Sequence, residues 1–348
     1  MLKTLKQATL GSLKTSGVFS LVQNSRWRQR RLLILAYHGI SQEDEHLWDY
    51  TQFMSPEFFR ARMQLLKTSG CTVLPLGEAL NRLYANDLPD KCAAITFDDG
   101  TADFLGQAFP ILKDFDFPVT LYLTTFYSHY NRPVFDVICS YLLWKGRDLS
   151  VNLKTITGDD ETVELSSEPS RRSTLQRLQQ RARESGLSAE EKDAMVATIA
   201  KQVGVDYDEL LSKKILRLLK PEEVTRLAAQ GVDVQLHTHR HRTPRDRELF
   251  LREIDDNRRS IQAMTGACPT HFCYPSGNYD AAFLPWLKEA GIVSATTCDL
   301  GLATANSNPL LLPRMLDISS LSSVEFAGWL SGVSVALPQR RPAYDMAG

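Results

Sequence analysis

Two adjacent carboxylates directly follow an apolar segment in the first third of the chain. Residues 93–97 (Ala-Ala-Ile-Thr-Phe) have the composition of a buried strand, and they lead into Asp98, Asp99 and Gly100. Two neighbouring carboxylates repel each other and are costly to bury unless a cation or a proton relieves the repulsion. Gly100 allows a sharp turn, so both carboxylates can face one point. A solvated turn at the end of a strand is the simpler reading of this pair taken alone.

A group of histidines follows a later strand-like segment. Residues 232–236 (Val-Asp-Val-Gln-Leu) are succeeded by residues 237–241 (His-Thr-His-Arg-His). Because His237 and His241 are four residues apart, one helical turn would bring both imidazoles to the same side, whereas His239 would face away. With one carboxylate they form a set of ligands that is typical of catalytic zinc and other divalent transition metals. A histidine pair at this spacing, taken alone, usually marks a surface turn.

The alternation of strand-like and helical segments predicts the frame that positions these residues. Strand-like segments end at His38, at the Asp98-Asp99 pair, at His237 and at Tyr274-Pro275. Seven or eight strand–helix units predict an α/β fold, a distorted (β/α) barrel. Because a barrel of this kind carries its active site at the carboxyl ends of its strands, we expect these side chains to converge.

The alternation lapses between about residues 127 and 214. This part has the pattern of charged amphipathic helices and one polar hairpin, which predicts an insertion on one rim of the barrel. The predicted organisation is therefore a basic amphipathic leader (residues 1–31), a barrel domain (32–330) that contains the insertion, and a tail (331–348). The insertion is expected either to shape a substrate groove or to serve solubility or oligomerisation.

The leader contains seven lysines and arginines and no acidic residue, with apolar side chains between them. Such a segment can lie on an anionic membrane surface, or it can pack on the domain with its charges in water. Its apolar part is too short and broken for the core of a signal peptide. The net charge of −1 gives no general attraction to nucleic acid, and the six cysteines form no Cys-x-x-Cys pair. We expect a cytoplasmic protein with reduced cysteines. Both positions of residues 1–31, in peripheral contact with the inner face of the membrane or packed on the domain, stay open at this point.

Three motifs, in this order, resemble those of a known family. The Asp98-Asp99 motif (residues 96–100, Thr-Phe-Asp-Asp-Gly) and residues 237–241 are similar to the first two motifs of the NodB-homology polysaccharide deacetylases, carbohydrate esterase family 4. Residues 272–277 (Phe-Cys-Tyr-Pro-Ser-Gly) resemble the third motif. Residues 35–38 (Leu-Ala-Tyr-His) and 312–314 (Leu-Pro-Arg) match elements of the subgroup related to poly-N-acetylglucosamine deacetylases. The resemblance covers roughly residues 32–318, apart from the insertion.

The resemblance implies roles for the residues of the first two motifs. Asp99, His237 and His241 would bind a divalent transition metal, with Zn²⁺ expected, and this metal would lower the pKa of a bound water toward neutrality. Asp98 would act as the general base for that water, provided that it lies within hydrogen-bonding reach.

The resemblance also implies roles at the other strand ends. The backbone N–H of Tyr274 would help the metal to stabilise the developing oxyanion, and Tyr274 and Pro275 would contact the substrate. No histidine follows His271, so the late Leu-x-His motif that supplies the general acid in many relatives is absent. His38 is the candidate general acid, although a buried histidine bonded to a backbone carbonyl would suit the same position. The usual arginine of the third motif is absent too, and Arg314 is the candidate cation that keeps the general base ionised.

These roles predict a metal-dependent amidase, a hydrolase of carbon–nitrogen bonds other than peptide bonds. Its substrate would be an N-acetylated amino sugar in a glycan or glycolipid, and a lipid-linked sugar or short oligosaccharide fits the basic leader. An O-acetyl esterase, or a deformylase acting on a lipid-linked sugar, would use the same metal and base. A non-catalytic glycan-binding or scaffold barrel is the third alternative, and neither the sugar nor the oligomeric state follows from the sequence.

Overall fold

The computed structural model describes residues 2–158 and 160–337, so the last part of the predicted tail, residues 338–348, lies outside the described residues. The strands are β1 (Arg31–Tyr37), β2 (Gly39–Ile40), β3 (Phe53–Met54), β4 (Ala93–Phe97), β5 (Thr120–Leu123), β6 (Ser150–Asn152), β7 (Thr162–Glu164), β8 (Asp233–Leu236), β9 (His271–Cys273), β10 (Ser294–Thr296), β11 (Ala303–Thr304) and β12 (Met315–Leu316). The α-helices are α1 (Leu2–Thr15), α2 (Val18–Gln23), α3 (Arg26–Gln29), α4 (Glu45–Trp48), α5 (Pro56–Thr68), α6 (Leu76–Tyr84), α7 (Phe109–Phe115), α8 (Phe135–Lys145), α9 (Glu168–Glu184), α10 (Ala189–Gln202), α11 (Tyr207–Ser212), α12 (Pro221–Ala229), α13 (Arg247–Thr265), α14 (Phe283–Glu289) and α15 (Ser323–Ser331).

A curled mixed sheet forms the centre of the protein. Its strand order is β10-β9-β8-β5-β4-β1-β11, and all neighbours from β10 to β1 are parallel. Strand β12 pairs in parallel with β1, and the segment before it bridges to β10 through Leu312 and Thr296. Because this segment connects the two ends of the parallel sheet, the strands enclose a barrel. The predicted distorted (β/α) barrel of seven or eight strands is confirmed.

The sequence of the central strands explains their position. Strands β4 and β5 are buried at every residue, as expected for parallel strands that are covered on both faces. In β1, Leu33 and Leu35 enter the main hydrophobic cluster, whereas Leu32 and Ile34 enter a second cluster. This alternation is the period of two of a β-strand, and it directs side chains to both sides of the sheet.

The part of the chain predicted as an insertion has a hydrophobic core of its own. Helices α8 to α11 and the antiparallel hairpin of β6 and β7 pack around buried apolar residues such as Leu142, Leu178 and Ile199. The side chains of Tyr141 and Lys145 in α8 both donate to Asp44, at 2.6 and 2.7 Å. These two bonds hold the insertion against the segment that connects β2 to β3.

The leader packs on helix α15. Leu10 and Phe19 are buried against Val333, and Lys3 Nζ donates to the carbonyl of Ser320 at 2.7 Å. Arg28 is fully buried and donates to backbone carbonyls of the barrel domain. The leader was expected either to lie on a membrane surface or to pack on the domain. In the structure it packs on the domain. No helix among the described residues has both the length and the apolar character of a membrane span.

Candidate active site

The carboxyl ends of three parallel strands bring the predicted site residues to one edge of the barrel. His38 follows β1, Asp98 and Asp99 follow β4, and His237 follows β8. These four side chains and His241 line one cavity of about 750 Å³. The structure therefore places the predicted metal ligands, the predicted base and the candidate acid in one cavity, at the edge where barrels of this kind hold their active sites.

Asp99, His237 and His241 direct three potential ligand atoms to one point. The Nε2 atoms of His237 and His241 lie 3.2 and 3.1 Å from the same oxygen of Asp99, Oδ1. His237 Nδ1 lies 2.9 Å from the carbonyl oxygen of Cys273. We assign the proton of this imidazole to Nδ1, because a carbonyl can only accept, and Nε2 then carries a lone pair.

The geometry around Asp99 fits a bound cation. Its Oδ1 atom is buried and, among the described residues, has no hydrogen-bond partner of acceptable geometry, although it faces two imidazole nitrogens. Burial alone would raise the pKa of Asp99, but the imidazoles of His241 and His237 hold this pKa well below its usual value. The side chain is thus an ionised ligand at neutral pH. One carboxylate and two imidazoles suit a divalent transition metal such as zinc.

Asp98 forms a buried ion pair with Arg314. Arg314 Nη1 and Nη2 donate to the two carboxylate oxygens, both at 2.7 Å. Burial would raise the pKa of Asp98, but the adjacent guanidinium outweighs it and lowers the pKa to about 2. Arg314 is held in place by the Thr297 carbonyl and the Thr96 hydroxyl. His38 Nε2 lies 3.9 Å from Asp98 Oδ2, so the predicted base, its cation and the candidate acid are neighbours.

The histidine loop differs from the predicted helical turn. Thr238 and His241 have φ angles of 61° and 55°, and Asp99 has a φ of 69°. Such left-handed conformations are costly for residues other than glycine and are typical of functional sites. The two left-handed residues of the loop turn the chain so that both ligand imidazoles face Asp99. His239 points away from the ligands, as predicted, and its Nδ1 lies 2.8 Å from Thr125 Oγ1.

Two buried polar residues of α13 hold the histidine loop, and neither was predicted from the sequence. Asn257 Oδ1 accepts the backbone N–H of His237 at 3.0 Å, and Glu253 accepts the backbone N–H of Arg240 at 2.8 Å. Both residues lie on the buried face of α13, together with apolar residues such as Ile254. The sequence signal that could have identified them is a polar residue at a core position of an amphipathic helix. Such a residue indicates a hydrogen-bonded contact, since buried polar groups need partners.

The structure places Tyr274 and Pro275 outside the lining of the cavity. The backbone N–H of Tyr274 donates to the carbonyl of Thr296 at 3.2 Å, so the pairing of β9 with β10 occupies the predicted oxyanion donor. The ring of Tyr274 is fully buried, and its hydroxyl donates to the carbonyl of Leu310. Tyr274 and Pro275 are not among the residues that line the cavity, whereas Ser276 is. The substrate contacts predicted for Tyr274 and Pro275 stay predictions.

Comparison with known protein families agrees with this arrangement. The family model described as polysaccharide deacetylase matches residues 85–295, more than half of the chain, including the ends of β4, β8 and β9. The chain belongs to the polysaccharide deacetylase family. This finding confirms the family that the motifs predicted and, with it, the predicted type of hydrolase.

Individual relatives are distant. A stretch of 94 residues, 27% of this chain, is 33% identical to the Bacillus subtilis (strain 168) protein YxkH, whose name refers to the same family; the match spans 32% of that protein. The structure of the Streptococcus pyogenes deacetylase PplD in complex with acetate is similar with a TM-score of 0.55 and 19% identity, over 85% of this chain and 96% of that one. IcaB from Ammonifex degensii is similar with a TM-score of 0.54 and 16% identity, over 86% and 97%. At these identities the two structures show a shared fold.

Proposed function

We propose that this protein is a metal-dependent deacetylase that hydrolyses the N-acetyl amide of an amino sugar in a glycan or glycolipid. The observation that carries the proposal is the position of Asp98, ionised and paired with Arg314, beside the ligand set of Asp99, His237 and His241. A divalent transition metal, expected to be zinc, would supply a Lewis acid and a water of lowered pKa at this point.

The protein's own side chains would carry out the two proton transfers of amide hydrolysis. Asp98 accepts a proton from water as the water oxygen bonds to the acyl carbon, and Arg314 keeps Asp98 ionised beforehand. His38 lies next to Asp98 on the same cavity wall and donates a proton to the sugar nitrogen as the carbon–nitrogen bond breaks. The products are acetate and the free amine.

The test measures acetate release and metal content in the same preparations. N-acetylglucosamine oligosaccharides are the substrates, with O-acetylated and N-formylated sugars as further arms, after loading with zinc. We expect one metal per chain in the wild type and in Asp98→Asn, and none in the double variant His237→Ala, His241→Ala. Both variants should lose activity, whereas His129→Ala, which changes an exposed histidine outside the cavity, should retain both metal and activity.

Two results would contradict the proposal. A zinc-loaded Asp98→Asn variant with the wild-type rate would refute the role of Asp98 as the base. A wild-type protein that takes up no zinc, cobalt or manganese and releases no acetate would favour the non-catalytic scaffold instead.

We further propose a cytoplasmic location in contact with an anionic membrane surface through residues 1–31. The support is the basic composition of this segment and the exposure of Leu5, Leu21 and Trp27 among its charges. Sedimentation with anionic vesicles tests this: Leu5→Ser with Leu21→Ser should weaken binding, and Val293→Ser, at an exposed apolar residue of the barrel domain, should not. Equal binding of all variants would contradict this location of the contact.

A further inference from the structure

The insertion forms part of the wall of the catalytic cavity. Trp144 of α8 and Arg171 of α9 line the same cavity as His38 and Asp98. At about 750 Å³, the cavity lies in the upper part of the range of roughly 300–1,000 Å³ that is usual for small-molecule sites. It is larger than an acetamido group requires, so its outer part is available for the rest of the substrate.

An aromatic surface extends from the barrel into the insertion. Trp48 of α4 and Trp144 both line the cavity, and Tyr141 lies between them, with ring centroids 5.5 Å from Trp48 and 5.9 Å from Trp144. The hydroxyl of Tyr141 donates to Asp44 at 2.6 Å, which holds this cluster in place. Sugar rings contact such aromatic surfaces through their C–H bonds. Arg147 covers one face of Trp144, with 4.5 Å between its guanidinium carbon and the ring centroid, so the part of the ring that lines the cavity is what a further sugar can contact.

Arg171 adds a positive charge to the same wall. Its Nη1 donates to the carbonyl of Leu165 at 2.7 Å, which anchors the guanidinium. In the described part of the chain, no carboxylate lies within ion-pair distance of Arg171, whereas the neighbouring Arg172 is paired with Glu168. A guanidinium has five N–H donors in a planar fork. The carbonyl of Leu165 accepts from only one of them, so the remaining donors of Arg171 can bind a carboxylate or a phosphate.

The other charges of the cavity do not neutralise Arg171. Asp98 is paired with Arg314, and Asp99 faces the two ligand imidazoles. Asp49 accepts hydrogen bonds from the backbone of Thr51 and Gln52. Glu168, which also lines the cavity, is paired with Arg172 at 3.0 Å. The insertion side of the cavity therefore holds both Trp144 and Arg171, and Arg171 has no acidic partner among the described residues.

We propose that the insertion is a substrate-binding unit for anionic glycans, in which Arg171 binds a carboxylate or phosphate while Trp48 and Trp144 contact a sugar ring. This inference rests on the proposed function, because it names the substrate class of the same cavity. The substrate would be an N-acetylated amino sugar linked to a uronic acid or to a phosphate ester, and a neutral polymer would bind less tightly.

Equilibrium binding separates this inference from the catalytic proposal. The probes are N-acetylglucosamine trisaccharide, which is neutral, a hyaluronan tetrasaccharide, which carries carboxylates, and N-acetylglucosamine 1-phosphate. Their affinities for the zinc-loaded protein are measured calorimetrically, and acetate release from each is measured in parallel. The variants are Arg171→Gln, Arg171→Lys and, as a matched control, Arg181→Gln, which removes an exposed charge of the same helix outside the cavity.

We expect the wild type to bind at least one anionic probe about tenfold more tightly than the neutral one, a factor that one charge-assisted contact provides. Arg171→Gln should reduce this ratio to about one, Arg171→Lys should restore part of it, and Arg181→Gln should leave it unchanged. Tighter binding of the hyaluronan tetrasaccharide would identify the anion as a carboxylate, and tighter binding of N-acetylglucosamine 1-phosphate would identify it as a phosphate.

The inference is overturned if the wild type shows no preference for either anionic probe, if it binds neither, or if Arg171→Gln retains the preference. Acetate release from the neutral trisaccharide would then still support the deacetylase. Conversely, a preference that depends on Arg171, without acetate release from any probe, would refute the proposed function and retain the anionic site.

Discussion

Replacement of Arg314 by methionine removes the cation from a buried pair and leaves Asp98 without a partner. Both side chains are almost completely buried, and Asp98 accepts two bonds of 2.7 Å from Arg314. The change of the Asp98 pKa from 3.8 to about 2 corresponds to about 2 kcal/mol, at 1.36 kcal/mol per pKa unit. The carbonyl of Thr297 also loses its donor, which costs about 1–3 kcal/mol. We expect a total loss of about 3–5 kcal/mol, the usual effect of breaking a buried ion pair.

The sign of the pH dependence follows from the lowered pKa. Because the pKa of Asp98 is lower in the folded than in the unfolded protein, its stabilisation is complete above about pH 4 and is lost as the pH falls toward 2. In Arg314→Met, burial without the guanidinium raises this pKa. The variant should therefore lose most stability at neutral pH and differ least from the wild type near pH 2.

Urea unfolding of the metal-free protein at pH 7 measures the loss, and a second buried pair provides the control. Arg62 Nε donates to Asp317 at 3.0 Å, and both side chains are buried outside the cavity. Arg62→Met should also lose stability but should retain acetate release after zinc loading, whereas Arg314→Met should lose acetate release about 100-fold or more, the contribution of a general base. A stability loss below about 1 kcal/mol in Arg314→Met, or equal activity of the two variants, would refute this reasoning.

Three further predictions concern residues around the site. Asn257→Ala removes the acceptor of the His237 N–H and should weaken zinc binding about 10- to 100-fold in competition with a chelator; unchanged affinity would show that the loop is held by other contacts. His38→Gln should retain zinc and lose hydrolysis of the amide, but lose much less hydrolysis of p-nitrophenyl acetate, whose leaving group needs no proton; equal losses would contradict its role as the acid. Burial raises the pKa of Asp103, which accepts the Ile40 N–H, to about 7. The folded protein therefore retains this proton longer than the unfolded chain, and stability should fall as the pH rises from about 4 to 7. In Asp103→Asn this contribution should be absent from urea midpoints measured over the same pH range, and an identical slope in both proteins would contradict it.

The alternation of strands and helices was sufficient to predict the barrel, and the motifs were sufficient to predict the family and the approach of Asp99, His237 and His241. The Asp98-Asp99 pair directly follows β4 and His237 directly follows β8, and the carboxyl ends of parallel strands meet at one edge of the sheet. The resemblance also indicated Arg314 as a partner of Asp98, 216 residues away in the chain, because its motif closes the barrel beside the first strand.

Only the tertiary structure decided which groups around these motifs are available. It places the Tyr274 N–H in the pairing of β9 with β10, and it turns the histidine loop with left-handed residues instead of a helical turn. It also brings Asn257 beneath His237, and Arg171 into the wall of the cavity. These contacts join residues that are distant in sequence, so they depend on how helices pack on the barrel and on the insertion. Local composition shows at most that Asn257 is a polar residue on an apolar helix face. It does not show which residue Asn257 contacts, because each partner satisfies its own helix or strand pattern equally well without the other.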